Sequence, residues 1–181
     1  MGDNWCETHS GLQFDFVDTT EEMLDIDDIC YALAREGRYA NQSFGTITVA
    51  EHSCHVCDIL SPGLRAHGLM HDASEYMLRD IPKPLKMLLL KYEEIEDRIQ
   101  GLVYEKFCGG RLGQNQERDL KYADKSVMKA EATAWMHNGC DHWGCLVDVE
   151  VAKVRIEKWA PGRSEVEFMR RFMQYCCKEG E

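Results

Sequence analysis

The sequence has no apolar run approaching the ~18 residues that a membrane span requires. Its first residues, Met1 to Asp18, carry neither the basic start nor the apolar stretch of an export signal. A soluble, cytoplasmic protein with no membrane partner is expected. Basic charge is scarce as well: 21 Lys and Arg face 32 Asp and Glu, a formal net charge of −11. That balance repels a polyphosphate backbone unless cations are locally concentrated, so a nucleic-acid polymer is a disfavoured partner. Internal repeats, low-complexity tracts and Pro/Gly/Ser linkers are lacking too. The chain of 181 residues therefore reads as one domain, 1–181, with a radius of gyration of about 16 Å and roughly 70% of its unfolded surface buried.

Nine cysteines are present, an odd number scattered without a framework, which suggests reduced thiols. Cys54 and Cys57 lie between His52 and His55 and imitate a zinc or redox cluster. A closed zinc site usually recruits a second regular pair, and the later His137, Cys140, His142 and Cys145 are irregularly spaced. Buried or half-buried helical thiols are the expectation, with a zinc-stapled binding module as the alternative.

The periodicity is mainly helical. Leu12, Phe14 and Phe16 alternate behind Ser10-Gly11 as in a short hairpin or strand. Ile26, Ile29, Cys30 and Leu33 form a first helical stripe capped by Asp25 or Asp27 and ended by Gly37. A second helix is expected over 50–60 and a third from Leu64 to about Leu78. Pro82 and Pro84 forbid a regular helix across 81–84. A long fourth helix is predicted from Leu85, Leu88, Tyr92, Ile95, Ile99 and Leu102, running to Gly109-Gly110. A fifth carries Leu120, Val127, Met128 and Trp135. Val147, Val149 and Val151 fit a strand or a helix. The last helix follows Pro161-Gly162, with Ser164 and Glu167 as a capping box and Met169, Phe172, Met173 and Cys176 on one face.

Chemistry enters where the least buriable side chains fall on apolar stripes. His52 lies four residues before Val56, and His71 seven after Leu64 with Glu75 four further on. Asp124 lies four after Leu120 and three before Val127. A lone inward histidine is ordinarily a hydrogen-bonded core residue, and a lone inward aspartate is ordinarily paired with a base. Here two histidines and two aspartates, Asp72 adjoining His71, come from three successive helices. One divalent cation would neutralise the carboxylates and satisfy the imidazoles together. The mixed N/O set suits Mn, Co, Fe, Zn or Mg and leaves positions for water or a substrate oxygen. Glu75 and Asp80 are carboxylates beyond the ligand count, suited to orienting water or protonating a leaving oxygen.

His52, His71-Asp72 and Asp124 form an H…HD…D pattern. With the strings VAEHS (49–53), HDASE (71–75), RDIPKPLK (79–86) and KYAD (121–124), the chain resembles the HD-domain metal-dependent phosphohydrolases. Among these it is most similar to the phage and prophage 5′-deoxynucleotidases and the phage dATP triphosphohydrolases. FDF at 14–16, DIDDI at 25–29, Arg38-Tyr39 and WAPG at 159–162 extend the likeness from about Gly11 to Cys176.

The resemblance implies an HD-domain helical bundle with a short N-terminal β-hairpin. It implies one divalent metal (Co, Mn, Zn or Mg) on His52, His71, Asp72 and Asp124, with Glu75 and Asp80 catalytic. Arg38 would bind phosphate, Tyr39 would sit at the nucleoside, and Lys86 and Lys121 would contact a di- or triphosphate tail. The implied reaction is hydrolysis of the 5′-phosphate ester of a small-molecule deoxynucleotide, with no preference fixed between mono- and triphosphates. A homo-oligomer is implied as well. The chain departs from the pattern at Asn41-Gln42, where prophage relatives often carry Gly-His, which puts the base or sugar side in question. A catalytically silent HD-fold module that binds a nucleotide or a protein is the alternative from another class.

Overall fold

The computed structural model describes residues 4–177. The chain is mainly helical, opening with an antiparallel hairpin of β1 (Trp5–Glu7) and β2 (Gln13–Asp15) in which Cys6 opposes Phe14. Phe14 points into the core and packs edge-on against Tyr76. Asp28 fastens the hairpin loop to the next helix, its carboxylate accepting from Thr8 Oγ1 at 2.6 Å and from Ser10 N and Oγ at 2.7 Å each.

Helix α1 (Ile26–Leu33) is capped by Asp25, whose side chain accepts the amides of Asp27 and Asp28. It stops at Leu33, before the expected Gly37, because Gly37 pairs with Thr48 in an isolated antiparallel bridge. The amide of Arg38 donates to Ile47 O at 2.9 Å in that pairing. Arg38 is thereby held beside the start of α2 (Val49–Ile59), which Thr48 caps through the Glu51 amide.

Every residue of α2 from Val49 to Cys57 is buried. One side of the helix packs Ala50, Cys54 and Cys57 into a core with Leu33, Leu69, Ile99 and Phe168. Another packs Val56 into a second cluster with Ile47, Leu64, Leu120 and Val127. A helix buried all round has no solvent face for polar residues, so Glu51, His52, Ser53 and His55 face the interior and depend on internal partners. Cys54 and Cys57 are apolar filler here. Burial pushes the Cys57 thiol up to about 12 and raises that of Cys54 as well, and both pack in the core as protonated thiols.

Three expectations are corrected in the middle of the chain. The third helix is not continuous: α3 (Arg65–Met70) breaks into a tight turn at 71–74 before α4 (Glu75–Leu78). The fourth does not begin at Leu85. A single turn, α5 (Lys83–Lys86), is followed by Lys91 at φ +68°, and the long helix α6 runs Tyr92–Cys108. Leu85 and Leu88 are exposed, and the apolar run from Met87 to Leu90 has no polar face to mark in the sequence where the helical period lapses. The segment 147–151 is neither strand nor helix but irregular chain, held by Lys129 Nζ donating to Leu146 O at 2.9 Å and Val149 O at 2.8 Å.

Helix α7 (Gln114–Trp135) lies against α2, as does α8 (Pro161–Tyr175). Pro161 occupies the first turn of α8, where its missing N–H costs nothing. The expected capping box at Ser164 does not form. Ser164 is already inside the helix, buried, with its hydroxyl 2.9 Å from that of Thr48. Among the described residues no helix is long and apolar enough to cross a membrane.

Candidate metal centre

His52 from α2, His71 and Asp72 from the turn after α3, and Asp124 from α7 converge. One ligand atom each from His52, His71 and Asp72 lies within 4.8 Å of the others. His52 Nε2 is 3.1 Å from Asp124 Oδ1 and 3.8 Å from Asp72 Oδ2, while His71 Nε2 is 3.1 Å from Asp72 Oδ2 and 4.0 Å from Asp124 Oδ1. The break at 71–74 matters for this meeting. In a continuous helix two adjacent side chains diverge by about 100°, whereas here the amides of Ala73 and Glu75 bond back to Met70 and Asp72 in a tight turn. His71 and Asp72 both reach the same point.

The protons test whether a cation fits. His71 Nδ1 lies 2.9 Å from Gly68 O. A carbonyl only accepts, so Nδ1 carries a proton, which leaves the lone pair of a neutral ring on Nε2. His71 Nε2 is buried and without a hydrogen-bond partner among the described residues. His52 Nδ1 faces Glu131 Oε1 at 2.8 Å, which likewise leaves the lone pair of a neutral ring on Nε2, toward Asp124. Acceptors thus face acceptors, an arrangement that needs either extra protons or a cation at its centre. Burial and Arg38 press the His52 pKa down, and Glu131 and Asp124 override them to raise it to about 9. The His52, His71 and Asp72 group can hold a metal ion.

Glu131 is the residue that sequence spacing leaves unnoticed. It is fully buried on α7, where Oε1 takes His52 and Oε2 accepts from Arg38 Nε at 3.1 Å and Tyr39 OH at 2.7 Å. Burial alone would raise its pKa, but Arg38 and His52 hold it down at about 2. Its signal was present: Glu131 continues the stripe of Leu120, Asp124 and Val127 at the next helical step.

Arg38 is buried, with Nη1 3.4 Å from Asp72 Oδ2. Tyr39 is half-buried beside Arg38. Its hydroxyl is committed to Glu131, and its ring tilts against Trp143 with centroids 6.0 Å apart. Tyr39, Ala40 and Asn41 have φ of +58°, +50° and +58°. The amides of Asn41 and Gln42 bond back to Arg38 and Tyr39, closing a short left-handed turn. Each such residue costs roughly 1–2 kcal/mol. Asn tolerates this conformation, which suits Asn41 to the turn. The cost is borne beside the cluster, where strained backbone commonly serves a site.

Glu75 is buried on the other flank, and burial together with repulsion from Asp72 and Asp80 raises its pKa. Lys86 Nζ lies 3.4 Å from Glu75 Oε1 and 2.5 Å from Glu96 Oε1. Asp80 is half-buried, its amide donates to Glu36 Oε1 at 3.2 Å, and burial raises its pKa while the charges of Arg38, Asp72 and Lys86 act on it. Lys121 is not brought into the group. It is exposed on α7, where its ammonium lies 3.7 Å from Glu117.

No protein-family profile matches the chain. The uncharacterized protein YfdR of Escherichia coli strain K12 is 28% identical over 170 residues, covering 93% of this chain and 94% of that protein. The uncharacterized protein RCAP_rcc00048 of Rhodobacter capsulatus is 34% identical over 139 residues, 71% of each. The chain belongs to the family of RCAP_rcc00048.

Proposed function

We propose that the protein is an HD-domain metal-dependent phosphohydrolase that releases deoxynucleosides from 5′-deoxynucleotides. The observation that carries this reading is the convergence of His52, His71 and Asp72, one ligand atom of each within 4.8 Å of the others, with Asp124 Oδ1 3.1 Å from His52 Nε2. His52, His71, Asp72 and Asp124 would hold one divalent ion of the Mn, Co, Zn or Mg kind. When bound, such an ion polarises a phosphate oxygen and acidifies a coordinated water.

The chain's own groups supply the rest. Arg38, locked between Glu131 and Asp72, sets a fixed positive charge toward the phosphate oxygens. Glu75 and Asp80 have raised pKa values, so either can hold the proton that the departing 5′-oxygen needs. Water attacks phosphorus, the P–O5′ bond breaks, and the nucleoside leaves as an alcohol. Lys86 stands ready beside Glu75 for further phosphate charge. Lys121, turned to solvent, adds nothing to the case for a triphosphate.

The test combines metal content by mass spectrometry with product chromatography over deoxynucleoside mono-, di- and triphosphates, with each of the four metals. His71→Ala and Asp72→Ala should lose both metal and turnover. Full activity in metal-depleted Asp72→Ala protein would overturn the mechanism. Absence of turnover with every metal would leave a nucleotide- or protein-binding module.

A further inference from the structure

Gln100 is half-buried on α6 and meets the break between α3 and α4 with its side-chain amide. Its Nε2 donates to Met70 O at 2.7 Å, and its Oε1 accepts from Ser74 N at 3.1 Å. The partners fix which end of the amide faces which way, because a peptide N–H only donates and a peptide carbonyl only accepts. Met70 and Ser74 are 0% and 2% exposed, so both backbone groups depend on partners inside the protein. They are four residues apart. In an unbroken helix Ser74 N would donate to Met70 O directly, as each helical amide does to the carbonyl four residues before it. The amide of Gln100 stands in the place of that bond, and a side chain inserted into the helical ladder is a direct cause of a sharp break. Met70 O then takes two donors, Gln100 Nε2 and the Ala73 amide at 3.1 Å.

We propose that Gln100 is a positioning residue of the metal centre. By entering the ladder between Met70 and Ser74 it holds open the turn from which His71 and Asp72 reach the same point. The proposal rests on the metal-binding reading of His52, His71, Asp72 and Asp124. Both bonds of Gln100 go to backbone groups that flank two of these residues and neither goes to a ligand side chain, so it acts through the backbone. Only an amide side chain carries a donor and an acceptor on one planar group, which is what closing a gap between a carbonyl and an N–H requires. Helix α6 supplies none of the four candidate ligands, yet it sets how two of them stand.

Gln100→Met tests this proposal, because methionine fills a similar length without a hydrogen bond, keeps water out of the gap and lets Ser74 N return to Met70 O. The full chain is freed of metal, and its affinity for Mn, Co and Zn is read by chelator competition, well below the melting temperature of each variant. The visible absorption of the cobalt-loaded protein is recorded alongside. Affinity should fall about 10-fold or more, and the cobalt bands should change in position or intensity, since His71 and Asp72 no longer meet at one point. Gln100→Glu keeps the acceptor for Ser74 but sets a second acceptor against Met70 O, so it should lose affinity too. A purely structural Gln100 would lower the melting temperature and leave affinity and the cobalt spectrum as in the wild type. That result in Gln100→Met would overturn the proposal while the metal centre stands. A wild type that binds none of the three metals would instead overturn the metal reading, and the proposal with it.

Discussion

Glu131 Oε1 lies 2.8 Å from His52 Nδ1, and both side chains are completely buried. A carboxylate so placed fixes the imidazole tautomer and turns the Nε2 lone pair toward Asp124 and Asp72. Glu131→Gln should therefore weaken metal binding by about 10- to 100-fold, read by chelator competition. The amide can still accept from His52, but its NH₂ end then opposes Arg38 Nε, which only donates. Unchanged metal affinity would reduce Glu131 to a packing role.

Glu75 separates metal binding from chemistry. Its carboxylate contacts Lys86 and no side chain of the four candidate ligands within ion-pair or hydrogen-bond distance. Glu75→Gln should keep the metal while lowering kcat by about 10²–10⁴. Metal analysis of the same sample that is assayed checks both halves, and loss of the metal would place Glu75 among the ligands instead.

The helices and hairpin were readable from the sequence wherever apolar periodicity and a cap agreed, as at α1 with Asp25. His52, His71, Asp72 and Asp124 were readable because ionisable residues on an apolar stripe are conspicuous. The break at 71–74 was not, since it contains no proline or glycine and rests on local bonding of the turn. Glu131 was hidden for another reason. A glutamate is a good helix former, and its inward position resembles an ordinary salt-bridged surface until Arg38, Tyr39 and His52 are seen to meet it. Nor was the bond from the Tyr39 hydroxyl to Glu131 legible, since it depends on how the turn at 39–41 meets α7.

Glu51 makes a different kind of demand. Its buried carboxylate accepts the amides of Glu157 at 2.9 Å, Lys158 at 3.0 Å and Trp159 at 2.7 Å, tying the chain before α8 to α2. In Glu51→Ala these donors lose their shared acceptor, and a buried unsatisfied group costs about 1–3 kcal/mol. Chemical denaturation should show a loss of at least that size. A change within about 0.5 kcal/mol, the range of neutral surface substitutions, would mean that water satisfies the three amides.

Asp28 makes the anchoring of the hairpin loop acid-dependent. Burial would raise its pKa, but the hydrogen bonds from Thr8 and Ser10 outweigh burial and hold it below 3.8. A carboxylate with a depressed folded pKa stabilises fully above its unfolded value, about 3.9, and that contribution is lost as pH falls through the folded pKa. Asp28→Asn removes the charge but keeps the shape. It should therefore cost about 1–3 kcal/mol at pH 7, and the gap from wild type should shrink as pH drops below about 4. Guanidinium denaturation of both proteins at neutral and acid pH measures the gap directly. A gap independent of pH would mean that the hairpin loop is held by the geometry of the side chain and not by its charge.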